Sequence, residues 1–387
     1  MLRARPWLAP TDALLSGAQM KRIVLYGVAA LLSAIALCTV WIRLFVFFPG
    51  ALPLPGGPHA VGRMEFDWHD ETRPDPFVPS QRRELDVLVW YPAKRAGSMP
   101  AVYVRENWLR QLDRPFPFPK LNRVKTHSWD SVPVATPDRG RWPVVILSSG
   151  FGALPSEYTC ITEELASRGY VVAVPANTYS GLTVVFPDGH IAKEVETLPS
   201  NDHLAQIWAD DIKTVVKQLA ELDESPASLF YERLALTRLG VIGHSFGGVA
   251  AAQYCIAEPT CAAGINMDGA LWGDAPKRGI QSPFLFLIRD GTTAFWSSKS
   301  EKRGWARQYH EFLATYQATC ALSPRCTVDI QPGFRHMNFT DSAALFRAPL
   351  VWVHPLLGSV GRSDGLGTAR RKVAEFLDAW MNRSASW

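Results

Sequence analysis

The sequence offers little that would support metal chemistry, nucleic-acid binding or a repeat architecture. Nine histidines are scattered through 387 residues, and no group of His, Cys and acidic residues shows metal-ligand spacing along the chain. No catalytic metal and no cofactor is therefore expected. The formal net charge is only +4, without a basic run dense enough for a nucleic-acid face. No segment recurs at a period of roughly 20 to 50 residues, which excludes solenoids and propellers. Cysteine is sparse as well. Of the six, Cys255/Cys261 and Cys320/Cys326 form two close pairs with no further Cys or His beside them, so local disulfides or buried free thiols are expected rather than metal sites.

Long apolar runs are absent except for one. Residues 23–42, IVLYGVAALLSAIALCTVWI, carry no charge and match the length of a bilayer-spanning helix. Arg3, Arg5, Lys21 and Arg22 precede it, whereas Arg43 is followed by no basic residue until Arg63. This asymmetry predicts a cytoplasmic segment over 1–22, an anchor over 23–48 and the rest of the chain outside, periplasmic or extracellular. Ala34-Ile35-Ala36 resembles a signal-peptidase site, but the apolar run continues through Phe48, so cleavage there would fall in mid-membrane. An uncleaved anchor is expected. Pro49–Pro58 then reads as a linker, and 59–387 as the catalytic domain.

Within that domain two β-type runs, Ala60–Trp68 and Glu84–Tyr91, come first and are expected to pair antiparallel at one edge of a sheet. Residues 96–140 look irregular and lid-like, rich in Pro, Arg and aromatics. From Trp142 onward short apolar runs at 143–149, 170–176, 238–243, 262–268, 283–290 and 326–332 alternate with helical segments at 157–167, 202–222, from 245, near 302–318 and at 369–381. That alternation predicts an α/β fold with a mostly parallel central sheet and helices on both faces.

Gly243-His244-Ser245-Phe246-Gly247 fits G-x-S-x-G between a strand and a helix. This context lifts a serine onto a sharp turn as an exposed nucleophile. Ser245 needs a base, which in this chain order must follow it. His310 falls in mid-helix and His354 in an apolar, Pro-flanked stretch, whereas His336 follows a strand within a short loop. His336 is the candidate base. His244 is expected to pack, and histidines 59, 69, 127, 190 and 203 to be solvated. Asp268 and Asp290 both end strands, and spacing alone leaves either as the acid. The oxyanion donors are expected to be the amides of Phe246, directly after the serine, and Phe151, in the Gly150-Phe151-Gly152 turn.

Several stretches resemble the plasma-type platelet-activating factor acetylhydrolase family and its bacterial relatives, within the α/β-hydrolase superfamily. They are GPHAVG (57–62), RRELDVLVWYPA (82–93), PVVILSSGFGALPSEY (143–158), ELASRGYVVAVPAN (164–177), RLGVIGHSFGGVAAAQ (238–253), GINMDGALWG (264–273) and HMNFTD (336–341). The resemblance implies an α/β-hydrolase fold with Ser245, Asp268 and His336 as triad and Phe151 and Phe246 as oxyanion donors. It further implies calcium-independent hydrolysis of short sn-2 acyl groups from phospholipids. The chain departs from the family at Ser148-Ser149-Gly150, where Ser-His-Gly is frequent. A general short-chain or cutinase-like polyester esterase is the alternative expectation, and a non-catalytic binding protein a third.

Overall fold

The computed structural model describes residues 17–41, 51–111, 121–137, 140–291, 299–345, 357–360 and 362–381. Arg3, Arg5, residues 42–48 of the apolar run, most of the RPFPFPKL stretch and His354 lie outside them. The central strands are β-branched and apolar on both faces, so each feeds two cores. In β5 (Trp142–Ser148) Val144 and Ile146 enter one cluster while Val145 and Leu147 enter the other. β2 (Arg82–Ala93) divides likewise, with Val87 and Val89 on one side and Leu88 and Trp90 on the other. Such strands require helices on both faces. Helices α4 (Asn201–Glu224) and α5 (Phe246–Ala257) cover the first, and α3 (Thr159–Ser167) and α9 (Arg362–Met381) cover the second.

The remaining strands are β1 (Ala60–Pro74), β3 (Pro100–Val102), β4 (Lys125–Asp130), β6 (Val171–Pro175), β9 (Leu234–His244), β10 (Cys261–Met267), β11 (Phe284–Arg289) and β12 (Cys326–Gln331). A separate hairpin pairs β7 (Val184–Val185) with β8 (Ile191–Ala192). The main sheet runs β12-β11-β10-β9-β5-β6-β2-β1-β4-β3. From β6 to β12 along this order every pairing is parallel, while β2 is antiparallel to both β6 and β1. The carboxyl ends of six strands thus share one rim, from which residues 149–152, 245, 268, 290 and 332–336 emerge.

Several expectations need correction. The β1–β2 pair is antiparallel but is not the edge, because β4 adds parallel to β1 and β3 closes the sheet outside it. These strands come from the segment expected to be irregular. Lys125–Asp130 is polar, yet Thr126 and Ser128 are buried and hydrogen-bonded, Thr126 to the Ala101 carbonyl and Ser128 to Glu163. Residues 51–58 are also not a free linker. Leu52 is buried, its N–H donates to the Lys125 carbonyl at 2.9 Å, and its carbonyl meets His127 Nε2 at 2.7 Å, so His127 is tied down rather than solvated. Helix α9 starts at Arg362, earlier than 369, because Gly365 and Gly367 weaken the helical signal of its first turns. Both cysteine pairs are bonded. Cys255–Cys261 joins the end of α5 to the start of β10, and Cys320–Cys326 joins the end of α7 (Lys299–Ala321) to the start of β12.

The N-terminal helix α1 (Gly17–Trp41) is exposed from Gln19 to Trp41. Its Gln19–Trp41 portion has a mean hydropathy of 2.4 and none of its apolar window buried, which is long and apolar enough to cross a membrane or to serve as a signal sequence. Removing residues 1–48 should leave the thermal midpoint of the domain unchanged. Removing residues 1–55 takes Leu52 with it, at a cost of ~1.5–3 kcal/mol in lost burial. Differential scanning fluorimetry of the two truncations should show the second melting a few degrees lower, and equal midpoints would contradict the packing of residues 51–55.

Candidate active site

The nucleophile turn is built from strain and close approach. Ser245 has φ 54° and ψ −126°, a conformation non-glycine residues rarely adopt. Its N–H donates to the Met267 carbonyl at 2.9 Å, and its own carbonyl accepts from Gly248 at 3.0 Å. The flanking glycines are sterically required. A Cβ at Gly243 would stand 2.1 Å from the Gly247 carbonyl oxygen, and one at Gly247 would stand 2.0 Å from that of Ser148. At this turn strand β9, helix α5 and strand β5 therefore approach backbone to backbone, and Ser245 is the residue at the rim.

His336 begins a short 3-10 turn (His336–Phe339) in the loop after β12. Its Nδ1 lies 2.6 Å from Asp268 Oδ2. The Asp268 side chain is only 7% exposed, and the residue itself has a positive φ of 55°. Burial alone would raise its pKa, but the His336 bond and the Arg289 charge outweigh that and hold it below the ordinary carboxylate value. Arg289 Nε is 3.5 Å from Asp268 Oδ2, and the Arg289 N–H reaches Oδ1 at 3.3 Å. Asp290 has a different task. Its Oδ2 accepts from the Gly333 N–H at 2.5 Å, fixing the turn that leads to His336. The structure thus brings His336 to Asp268 and not to Asp290. Ser245 opens on the same cleft as His336, without a direct hydrogen bond between them; such contacts are often long before substrate binds.

The cleft has a volume of about 410 Å³ and is lined by Phe151, Ser245, Phe246, Asp268, Ala270, Trp272, Ile288, Arg289, Gln308, Tyr309, Phe312, Tyr316 and His336. Both expected oxyanion residues are among them. Phe246 opens α5, where N–H groups have no acceptor one turn back in the helix. In the other turn the Gly150 N–H is already donated to the Tyr158 hydroxyl at 2.8 Å, which leaves Phe151 as the neighbouring amide at the cleft. No described residue of 96–137 lines this cleft. Among the described residues its lip comes from α7 through Gln308, Tyr309, Phe312 and Tyr316. That face was missed in the sequence, although positions 309, 312 and 316 recur at helical spacing.

Tyr158 and His244 were also missed as polar elements. Because Tyr158 Oη accepts from Gly150, its proton points to His244 Nδ1, 2.9 Å away. His244 Nε2–H then donates to the His336 carbonyl at 2.9 Å, and the two imidazoles lie 4.5 Å apart. One hydrogen-bonded chain therefore runs from the oxyanion turn, through the residue before the nucleophile, to the backbone of the candidate base. Burial, with the nearby His336 charge, lowers the His244 pKa to about 3.

This geometry coincides with what the chain is similar to. Residues 144–387, well over half of its length, match the alpha/beta hydrolase family. The chain belongs to the α/β-hydrolase family. Residues 76–208 of this hydrolase also match the family described as platelet-activating factor acetylhydrolase, isoform II. A probable 1-alkyl-2-acetylglycerophosphocholine esterase of Arthroderma benhamiae is 32% identical over 36% of the hydrolase, a match spanning 34% of that relative's length. The platelet-activating factor acetylhydrolase of Canis lupus familiaris is 23% identical over 84% of it and 76% of the relative. Among solved structures, ferulic acid esterase from Streptomyces cinnamoneus superposes with a TM-score of 0.66 at 27% identity, covering 87% of the hydrolase and 95% of the esterase.

Two outcomes follow from these contacts. Asp268→Asn should lower kcat by roughly 10⁴-fold, as loss of the acid does in a serine protease, whereas Asp290→Asn should lose far less. Steady-state kinetics on variants of matched thermal midpoint would reverse the assignment if the ranking were reversed. The second concerns acid stability. Folded His244 stays neutral down to about pH 3, whereas in the unfolded chain it takes a proton below about pH 6.5. The unfolded state therefore binds more protons in this window, and stability contributed by neutral His244 is lost as pH falls from 6.5 towards 3. Urea unfolding of His244→Asn should show a shallower loss across that window than wild type, and identical slopes would refute it.

Proposed function

We propose that this α/β-hydrolase is a serine carboxylic-ester hydrolase with Ser245 as nucleophile, His336 as general base and Asp268 as the acid that orients it. The observation that carries this reading is a strained Ser245 opening on the same cleft as a His336 ring bonded to Asp268. In the proposed cycle His336 Nε2 takes the Ser245 hydroxyl proton as Oγ attacks the ester carbonyl. The Asp268 carboxylate stabilises the resulting imidazolium, and the amides of Phe151 and Phe246 receive the oxyanion. Collapse of the tetrahedral species passes the proton from His336 to the leaving alcohol and leaves an acyl-Ser245. Water, deprotonated by His336, then repeats the addition and releases the acid.

The acetylglycerophosphocholine esterase and acetylhydrolase relatives support short acyl esters, including sn-2 acetyl phospholipids, as substrates. A membrane-spanning α1 would place the site beside such lipids, with the N-terminus cytoplasmic and the domain outside. A general carboxylesterase remains the second reading, because the cleft wall is rich in rings (Phe151, Trp272, Tyr309, Phe312, Tyr316) and the ferulic acid esterase has the same fold. Ser245→Ala should abolish hydrolysis of a p-nitrophenyl acetate reporter and labelling by a fluorophosphonate probe, with the melting temperature retained. Near-wild-type turnover in a clean preparation would end the assignment. Comparing kcat/KM on a short sn-2 phospholipid and on a feruloyl ester separates the two substrate classes.

A further inference from the structure

We propose that Asp67, His69 and Glu84 form a binding site for a divalent transition-metal ion of the zinc class, separate from the ester-cleaving cleft. No spacing in the sequence reveals it, because the groups come from two strands, β1 and β2, whose register sets them together. Asp67 and His69 alternate onto one face of β1, and Glu84 is the cross-strand partner of His69 in β2. One ligand atom from each of these three lies within 4.8 Å of the others.

The distances favour shared coordination over simple ion pairing. His69 Nε2 is 3.5 Å from Asp67 Oδ1 and 3.6 Å from Glu84 Oε1. A protonated imidazole bonded to a carboxylate would sit at about 2.7–2.9 Å from one oxygen. Ligands at the corners of a tetrahedron with bonds of about 2.0–2.1 Å stand roughly 3.3–3.4 Å apart, close to what is observed. Asp67 Oδ1 is buried without a hydrogen-bond partner, and Glu84 Oε1 meets only ring nitrogens, His69 at 3.6 Å and His190 at 3.1 Å. The neighbouring Asp86, opposite Asp67, is by contrast already met by Arg105 at 3.0 Å, so the unmet oxygens are those that face His69. A buried carboxylate oxygen without a partner is costly, and a cation between the three groups would offset that cost.

His190 orients Glu84 from outside the group. Its Nε2 is 3.1 Å from Glu84 Oε2, and its Nδ1 is 2.6 Å from Asp188 Oδ1. Hydrogen bonds of this kind to a ligating carboxylate fix its orientation. Stacking on Phe186, with centroids 4.2 Å apart and planes 6° apart, holds that ring in place. The set of one imidazole and two carboxylates, leaving a position for water, suits a borderline ion better than calcium or magnesium, which take oxygen ligands. Half of the His69 side chain is exposed, which gives an ion access from solvent.

The test uses the full chain in detergent micelles, stripped with EDTA and titrated with Zn²⁺ against a chromogenic chelator. Wild type should bind one equivalent with micromolar or tighter affinity and melt at a higher temperature when loaded. His69→Ala and the isosteric Asp67→Asn should each weaken that binding at least tenfold, while His203→Ala, at an exposed position of α4, should not. All three retain His336, so any ion held in the ester-cleaving cleft contributes equally to each. Circular dichroism and p-nitrophenyl acetate turnover equal to metal-free wild type establish folding, and Asp67→Asn decides the matter if His69→Ala does not fold. Absence of stoichiometric zinc in wild type, or undiminished affinity in a folded variant, overturns the site.

Discussion

The arrangement depends on holding the backbone of Ser245 at a positive φ. A non-glycine residue there costs about 1–3 kcal/mol and persists only where its surroundings leave no alternative. Those surroundings are backbone on every side. β5 passes beneath Gly247, the first turn of α5 lies against Gly243, and the end of β10 accepts the Ser245 N–H. Asp268 leaves β10 one residue after that acceptor, with a positive φ of its own. Ser245 and Asp268, the proposed nucleophile and acid, are thus consecutive products of the same β9–β10 packing, and displacing one element displaces both.

His336 arrives from further along the chain and needs separate restraints. Three are visible: the Asp290 carboxylate on Gly333, the Asp268 carboxylate on the ring, and His244 on the backbone carbonyl. A fourth acts just beyond, where the Asp341 carboxylate accepts from the Cys160 N–H at 3.0 Å and couples the loop to α3. His244 can serve only while neutral, since a second imidazolium 4.5 Å from His336 would oppose the positive charge that develops there. Its burial therefore favours both the hydrogen-bond chain and the proposed chemistry.

At the start of β2 the frame is secured by charge as well as by apolar packing. Arg83 is fully buried between Asp75 and Asp211, bonding Asp211 through Nε and Nη2 and Asp75 through Nη1 at 2.9 Å. This ties the start of β2 to α4, and removal of any member would leave an uncompensated buried charge. The two disulfides close short helix-to-strand turns. The second anchors the end of α7, the helix whose Tyr309, Phe312 and Tyr316 wall the cleft.

Strand and helix order, the elbow at Ser245 and the selection of His336 were legible in the sequence because each depends on local signals. A strand buried on both faces must be continuously apolar, and a sharp strand-to-helix turn must place glycines at fixed offsets. Which aspartate meets His336 was not settled locally, since Asp268 and Asp290 both close apolar strands; only the tertiary positions of β10, β11 and the 332–336 loop bring one carboxylate to the ring and give the other to Gly333. The same limit hid β3 and β4, whose polar residues are buried by partners far along the chain, and Tyr158, whose hydroxyl matters through Gly150 and His244. It also hid α7 as a cleft wall and the Asp67–His69–Glu84 group. In each case the decisive quantity is a distance between segments that the chain order leaves free, and packing of the sheet with its helices determines it.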